Sequence, residues 1–118
     1  MKIDATEFGS ITVNGDSYPY DIFIRLSGEV HKRKKRYSKK YYNTSHIISR
    51  EEAEFIYEEG CETLVLGAGQ FKNLNLSPEA AEYFEHHDCH VILRSTTDAV
   101  AAYNKARGKT IGLFHVTC

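Results

Sequence analysis

Residues Glu62–Phe71 read ETLVLGAGQF, and the reading of this stretch decides the fold. Thr63, Leu64, Val65 and Leu66 form a short, nearly unbroken run of apolar, β-forming residues. A strand with one wet face alternates polar and apolar side chains, so an unbroken run predicts a strand covered on both faces. The run stops at Gly67-Ala68-Gly69, where two residues without a Cβ permit a sharp turn and expose backbone N–H groups. Open α/β sheets bind ligands beyond the carboxyl ends of their strands. Gly67, Ala68, Gly69 and Gln70 are therefore the first candidate ligand-binding residues, and a small anion is the ligand their N–H groups suit.

Helical patterns flank this strand. Ser49 with Glu52 forms a capping box, Ala53, Ile56 and Tyr57 recur on one face, and Gly60 suits a helix end. Ser77 and Pro78 open a second helix whose inner face is Ala80, Tyr83, Phe84 and His87. Val91, Ile92 and Leu93 predict another buried strand, ending at Arg94-Ser95. Thr96 caps a third helix, with Asp98 against its N-terminal dipole and Ala99, Val100, Tyr103 and Ala106 on its apolar stripe. Thr110–Cys118 is the last strand. Helix and strand alternating in this way build a parallel βαβ sheet.

The first third predicts antiparallel structure. Ile11 and Val13 alternate with polar residues before the hairpin pair Asn14-Gly15. Tyr18–Leu26 is expected as one longer strand, turning at Ser27-Gly28. The expectation is an α/β single domain over residues 1–118, with a mixed β-sheet, an N-terminal antiparallel hairpin and about three helices.

A length of 118 residues with 42% hydrophobic side chains suits one domain with its own core. No apolar run reaches a membrane span, and MKIDATEFGS carries no apolar signal segment. Three cysteines without CxxC spacing predict thiols rather than a disulfide frame, so the expected location is cytoplasmic. The net charge of −1 hides an asymmetry: the segment HKRKKRYSKKYY, residues 31–42, holds seven of the fifteen Lys and Arg and no acid. The remaining eight basic residues face sixteen acidic ones, a balance of −8. Like charges repel, so an extended or mobile segment is expected there.

The motifs FGSITVNG, HIIS, CETLVLGAGQ, TTDAVAAYN and FHVTC, in this order, resemble the small Mth-type domain family. That family includes the adipogenesis-associated Mth domain-containing protein and a mitochondrial complex I assembly factor. The resemblance runs from about Phe8 to the last residue. It implies a compact α/β domain with a mixed sheet, acting as a binding or assembly module outside the established enzyme classes. It transfers no catalytic residues. Family members often have Gly where this chain has Asp88, and Asp tolerates the left-handed region better than most residues.

Several constellations compete for function. The GAGQ turn lacks the third glycine of a dinucleotide fingerprint, which would fall at Lys72, and Arg94 stands where a ribose-binding acid is expected. Thr96 and Thr97 open a helix directly after a strand and form a second anion niche, while ordinary capping accounts for Thr96 equally well. His46 precedes the capping box and either faces the same cleft or sits in an exposed loop. In HHDCH, residues 86–90, the potential ligands are consecutive and diverge at a helix end, so neither metal nor cofactor is expected. His115 and Cys118 lie three apart on a strand and point to opposite faces. Asn104 beside Tyr103 is a candidate polar anchor. Lys32, Arg33, Lys34, Lys35, Arg36, Lys39 and Lys40, with Tyr37, Tyr41 and Tyr42, combine phosphate-neutralising charge and stacking rings.

The expectation is a binding or accessory module with an anion or small-ligand pocket at the GAGQ loop. Nucleic-acid binding through residues 31–42 and a small-ligand enzyme are the alternatives. A protein partner or a small anionic ligand is expected; monomer and homodimer both stay open.

Overall fold

The structure is a computed structural model that describes residues 2–117. Its centre is a five-stranded mixed sheet in the order β5(Val30–Lys32), β4(Ile22–Ile24), β10(Thr110–His115), β7(Thr63–Ala68), β9(His90–Arg94). β10, β7 and β9 run parallel, and β4 is antiparallel to β10 and β5 to β4. The run Thr63–Leu66 is indeed the core of a strand buried on both faces, now extended to Ala68. Leu64, Leu66 and Ala68 pack toward α2(Arg50–Ile56) and α3(Pro78–His86), with Ile56, Ala80 and Phe84. Val65 faces the other way, toward Ala99 of α4(Thr96–Lys105) and toward Ile3, Ile11 and Val13. Those last three belong to a separate antiparallel sheet, β1(Ile3–Glu7), β2(Ser10–Val13) and β3(Asp16–Tyr18). Each Leu or Ile removed from water in these layers contributes about 1.5–3 kcal/mol.

The local signals hold where they depend on neighbouring residues alone. Asn14 and Gly15 make the β2–β3 turn with φ of 49° and 87°. The Ser77 hydroxyl accepts from the Ala80 N–H at 3.0 Å, and Asp88 occupies the left-handed region at φ 53°. Asn104 anchors β1 by two hydrogen bonds of 2.9 Å to the Ile3 backbone.

Four expectations are corrected. Tyr18–Leu26 is not one strand: β3 ends at Tyr18, β4 begins at Ile22, and the two lie in different sheets. Pro19, which cannot donate to a ladder, sits at the break. β9 is an edge strand with Val91, Ile92 and Leu93 half-buried, because the chain crosses back to insert β10 between β7 and β4. The cap of α4 is Ser95, whose hydroxyl accepts from the Asp98 N–H at 3.4 Å. Thr96 lies inside the first turn and is buried. Finally, the basic segment is ordered, and Arg36–Tyr42 forms a helix, α1, which makes four in all among the described residues. Lys39 and Lys40 stand in its last turn, where the helix dipole favours cations, and Lys40 pairs with Glu51 of α2 at 2.8 Å. The acidic body supplies the counter-charges that the segment lacks. A two-stranded parallel pair, β6(Ile47–Ile48) and β8(Asn75–Leu76), completes the structure.

Candidate functional site

The register of the main sheet lines up one edge. His115 pairs with Ala68 across β10 and β7, and Gly67 pairs with Arg94 across β7 and β9. β4 is antiparallel to β10, so Asp21, just before β4, arrives at the same edge. Arg33, just after β5, meets it there, its N–H donating to the Asp21 carbonyl at 2.9 Å. The carboxyl end of the sheet thus gathers Arg33, Asp21, His115, Ala68 and the start of α4.

A buried polar network runs along this edge. The Arg33 guanidinium is fully enclosed; its Nε and Nη2 fork onto the Glu52 carboxylate at 2.7 and 3.0 Å, and Nη1 donates to Asp21 Oδ2 at 3.0 Å. Nη2 also donates to the Ser45 carbonyl at 2.8 Å. Ser38 Oγ donates to Glu52 and accepts from the Ser49 N–H at 2.9 Å. The predicted capping box is therefore half present. Ser49 accepts from the Glu52 N–H at 3.1 Å, but the Glu52 carboxylate is committed to Arg33 and Ser38.

Asp21 Oδ2 also receives His115 Nδ1 at 2.7 Å, and Oδ1 receives the Val116 N–H at 2.9 Å. Burial alone raises the Asp21 carboxyl. The His115 hydrogen bond and charge, with the Val116 N–H and Lys35, outweigh it and hold the pKa at about 2. The acceptor-only carboxylate fixes the histidine proton on Nδ1. His115 Nε2 then lies 3.3 Å from Thr117 Oγ1. The network reaches the surface at Lys35, whose ammonium is 3.7 Å from Asp21, and at His46, whose ring packs edge-on against His115 with centroids 5.3 Å apart.

The GAGQ segment joins the same edge, but the strand does not stop at Gly67 as expected: Gly67 and Ala68 are paired residues of β7, and the turn begins at Gly69. Gly69 has φ 96°, in the left-handed region that glycine adopts without strain. A Cβ on Gly67 would approach the Phe114 ring to 2.9 Å and Thr96 Oγ1 to 3.1 Å. The Thr96 hydroxyl accepts from the Gly69 N–H at 2.8 Å and donates to the His115 carbonyl. The Gln70 N–H donates to the Thr117 carbonyl at 2.7 Å. Two of the turn's N–H groups are thus used inside the protein. The Gln70 side chain stays half-exposed, and Phe71 beside it is 72% exposed.

Of the sequence-predicted ligand residues, Ala68, Thr96 and His46 meet His115, Gly67 and Gly69 pack against Thr96, and Thr97 stands exposed on the first turn of α4. The basic residues divide. Arg33 is internal, Lys40 is paired with Glu51, and Lys32 lies over the Tyr20 ring at 5.0 Å. Arg36 lies over Tyr37 at 4.9 Å, and among the described residues Lys34 and Lys39 carry no such contact to a ring or an acid. A surface cleft of about 250 Å³ is lined by Lys32, Arg33, Lys34, Lys35 and Arg36. In HHDCH the side chains do not gather. Cys89 turns inward to Cys61, the His87 ring packs on Tyr57 and Tyr83, and His86 and His90 are exposed. The His115–Cys118 relationship falls on a residue outside those described. No described helix is long and apolar enough to cross a membrane.

Sequence reasoning missed Asp21 and Glu52 as partners of Arg33, and Ser38 as a partner of Glu52. An acid directly before the apolar triplet Ile22–Ile24 was the one visible signal, since a carboxylate there must be compensated when buried.

The family described as "Protein of unknown function (DUF498/DUF598)" matches residues 3–111. The chain belongs to this family. Among solved structures, the conserved hypothetical protein PH1505 from Pyrococcus horikoshii OT3 is similar at 33% identity and TM-score 0.94, with 100% of each chain covered. A protein described as MT938 is similar at 31% identity and TM-score 0.83, covering 99% of this chain and 98% of its own. A Bordetella pertussis protein described as a Mth938-like domain shares the fold at 16% identity and TM-score 0.62, covering 98% of this chain and 85% of its own. These relatives bear out the Mth-type resemblance and the mixed α/β architecture of the family.

Proposed function

We propose that this protein is a cytoplasmic binding or accessory module whose contact surface is the carboxyl end of its main sheet. There the GAGQ turn, Thr97 and His46 adjoin the basic segment, and the ligand is an anionic group on a small molecule or on a protein partner. The observation that carries this reading is the buried Asp21–Arg33–Glu52 triad. Removing these charges from water costs several kcal/mol, and apolar residues would hold the segment about as firmly. What the ions add is one fixed backbone path for the residues that flank Arg33. Lys32, Lys34, Lys35 and Arg36 then surround a cleft as a preorganised cationic cluster, suited to carboxylate or phosphate groups. The one assembly factor named in the resembling family fits the same reading.

The test uses a labelled poly-glutamate peptide and a labelled single-stranded oligoribonucleotide in anisotropy titrations. The wild type is expected to bind the peptide. Replacing Lys32, Lys34, Lys35 and Arg36 with Gln, and keeping Arg33, should weaken it about tenfold or more with folding intact. Failure of the wild type to bind either probe, or unchanged binding by the variant, would overturn the reading. Preference for the oligonucleotide with a steep salt slope would replace it by the nucleic-acid alternative.

A small-ligand enzyme is the second reading, favoured by one observation: Thr117 Oγ1, His115 Nε2 and Nδ1, and Asp21 form a continuous relay. A hydroxyl, a base and an orienting carboxylate are the parts of nucleophilic acyl transfer. Hydrolysis of an activated ester that disappears in His115→Gln would support it.

A further inference from the structure

At the opposite end of the sheet lies a pair of groups with no part in the site above. Cys61 enters β7 and Cys89 enters β9, and the two strands begin side by side, with the His90 N–H donating to the Glu62 carbonyl at 2.9 Å. Both cysteines are buried and unbridged, and their sulfurs are 3.7 Å apart. Cys61 Sγ also lies 3.3 Å from the Thr63 carbonyl, which orients it. Cys89 lines the floor of an open cleft of about 430 Å³ whose rim includes Leu76, Glu85, Asp88 and His90. A disulfide needs its sulfurs about 2.05 Å apart and its backbones adjacent. The backbones here are adjacent, and the sulfurs must close by less than the span of one side-chain rotation.

We propose that Cys61 and Cys89 are a redox-active dithiol that a small hydroperoxide, entering by this cleft, closes to a reversible disulfide. One thiol gives up its proton, its thiolate attacks a peroxide oxygen, the O–O bond breaks, and the departing hydroxide takes up that proton as water, leaving the sulfur as a sulfenic acid. The second thiol attacks that sulfur, forming the S–S bond and expelling a second water. The two thiols together lose two electrons and two protons to one hydrogen peroxide. A hydroperoxide suits thiols this enclosed because it is hardly larger than water. The S–H···S contact assists the first step, since donation from Cys89 favours the thiolate on Cys61 and holds the proton on Cys89. A dithiol reductant reopens the bond by exchange. The product ties the entrances of β7 and β9 together, so it acts on the sheet that carries the site at its far end.

The test uses the Cys118→Ser chain, which retains only these two thiols. Treatment with stoichiometric hydrogen peroxide should lower the intact mass by two hydrogens, abolish thiol titration, and raise the melting temperature; dithiothreitol should restore both thiols. Peptide mapping of the non-reduced wild type should recover a Cys61–Cys89 linkage, so the result does not depend on the variant folding. In the further variant Cys89→Ser, peroxide should instead leave a sulfenic acid on Cys61, trapped as a dimedone adduct. Two thiols still titratable after exposure that oxidises a free cysteine control would overturn the proposal. So would a gain of oxygen at either thiol of the Cys118→Ser chain in place of the mass loss.

Discussion

The Asp21 carboxylate and the His115 imidazole meet at 2.7 Å inside the protein, across a sequence separation of 94 residues. The contact closes the antiparallel β4 onto the end of β10, and Arg33 and Lys35 complete it from the basic segment. Stability therefore depends on the ionised form of Asp21.

Acid titration should reveal that dependence. The folded pKa of about 2 lies below the ordinary carboxylate value, so the stabilisation is full above the unfolded pKa and is lost as pH falls through the folded one. The contribution is on the order of 2 kcal/mol. In urea titrations, Asp21→Asn should be less stable than the wild type by a constant margin above about pH 5, and the margin should shrink below about pH 4. A margin independent of pH would mean that the charge of Asp21 is not what matters.

Arg33 should behave unlike its neighbours. Arg33→Gln leaves Glu52 and Asp21 buried without their cation, at a cost of about 3–5 kcal/mol. Arg33→Lys should recover only part of it, because an ammonium cannot reproduce the fork onto Glu52. Lys34→Gln and Lys39→Gln, on the surface, should stay within about 0.5 kcal/mol. Chemical denaturation of the four variants checks the contrast.

Thr96 and Thr97 are adjacent and chemically alike, yet only the first is internal. Thr96→Val strips the Gly69 N–H and the His115 carbonyl of their shared hydroxyl and should cost about 1–3 kcal/mol. Thr97→Val should be near neutral in the same thermal melts. Equal losses would show that the buried bridge to the Gly69 N–H and the His115 carbonyl is not what sets Thr96 apart.

The GAGQ turn makes a paired prediction. Gly69→Val should destabilise by more than about 1 kcal/mol, because a β-branched residue is strained at φ 96°. Gln70→Ala should leave stability within about 0.5 kcal/mol while weakening binding of the anionic probe. A Gln70→Ala chain that melts like a core variant would make the amide structural and remove it from the proposed surface.

What the sequence determined by itself is everything set by a residue and its near neighbours. Leu64-Val65-Leu66 specified a strand covered twice, because no arrangement of one wet face suits three consecutive apolar side chains. Asn14-Gly15, Ser77 and Gly69 specified their turns and cap through φ and local hydrogen bonding. Tertiary structure decided the rest. Whether seven like charges repel or fold depends on the acids brought beside them, and Glu52 and Asp21 lie 19 and 12 residues from Arg33. The Glu of a capping box reads the same in sequence whether its carboxylate turns back to the helix or, as here, is taken by a buried guanidinium. Ser95 and Thr96 are both competent caps, and only the position of the Gly69 N–H and the His115 carbonyl drew Thr96 inward. The candidate site is made of such long-range contacts, because desolvated charges and hydroxyls take the partners that the fold leaves within reach, and the fold is closed by strands distant in the chain.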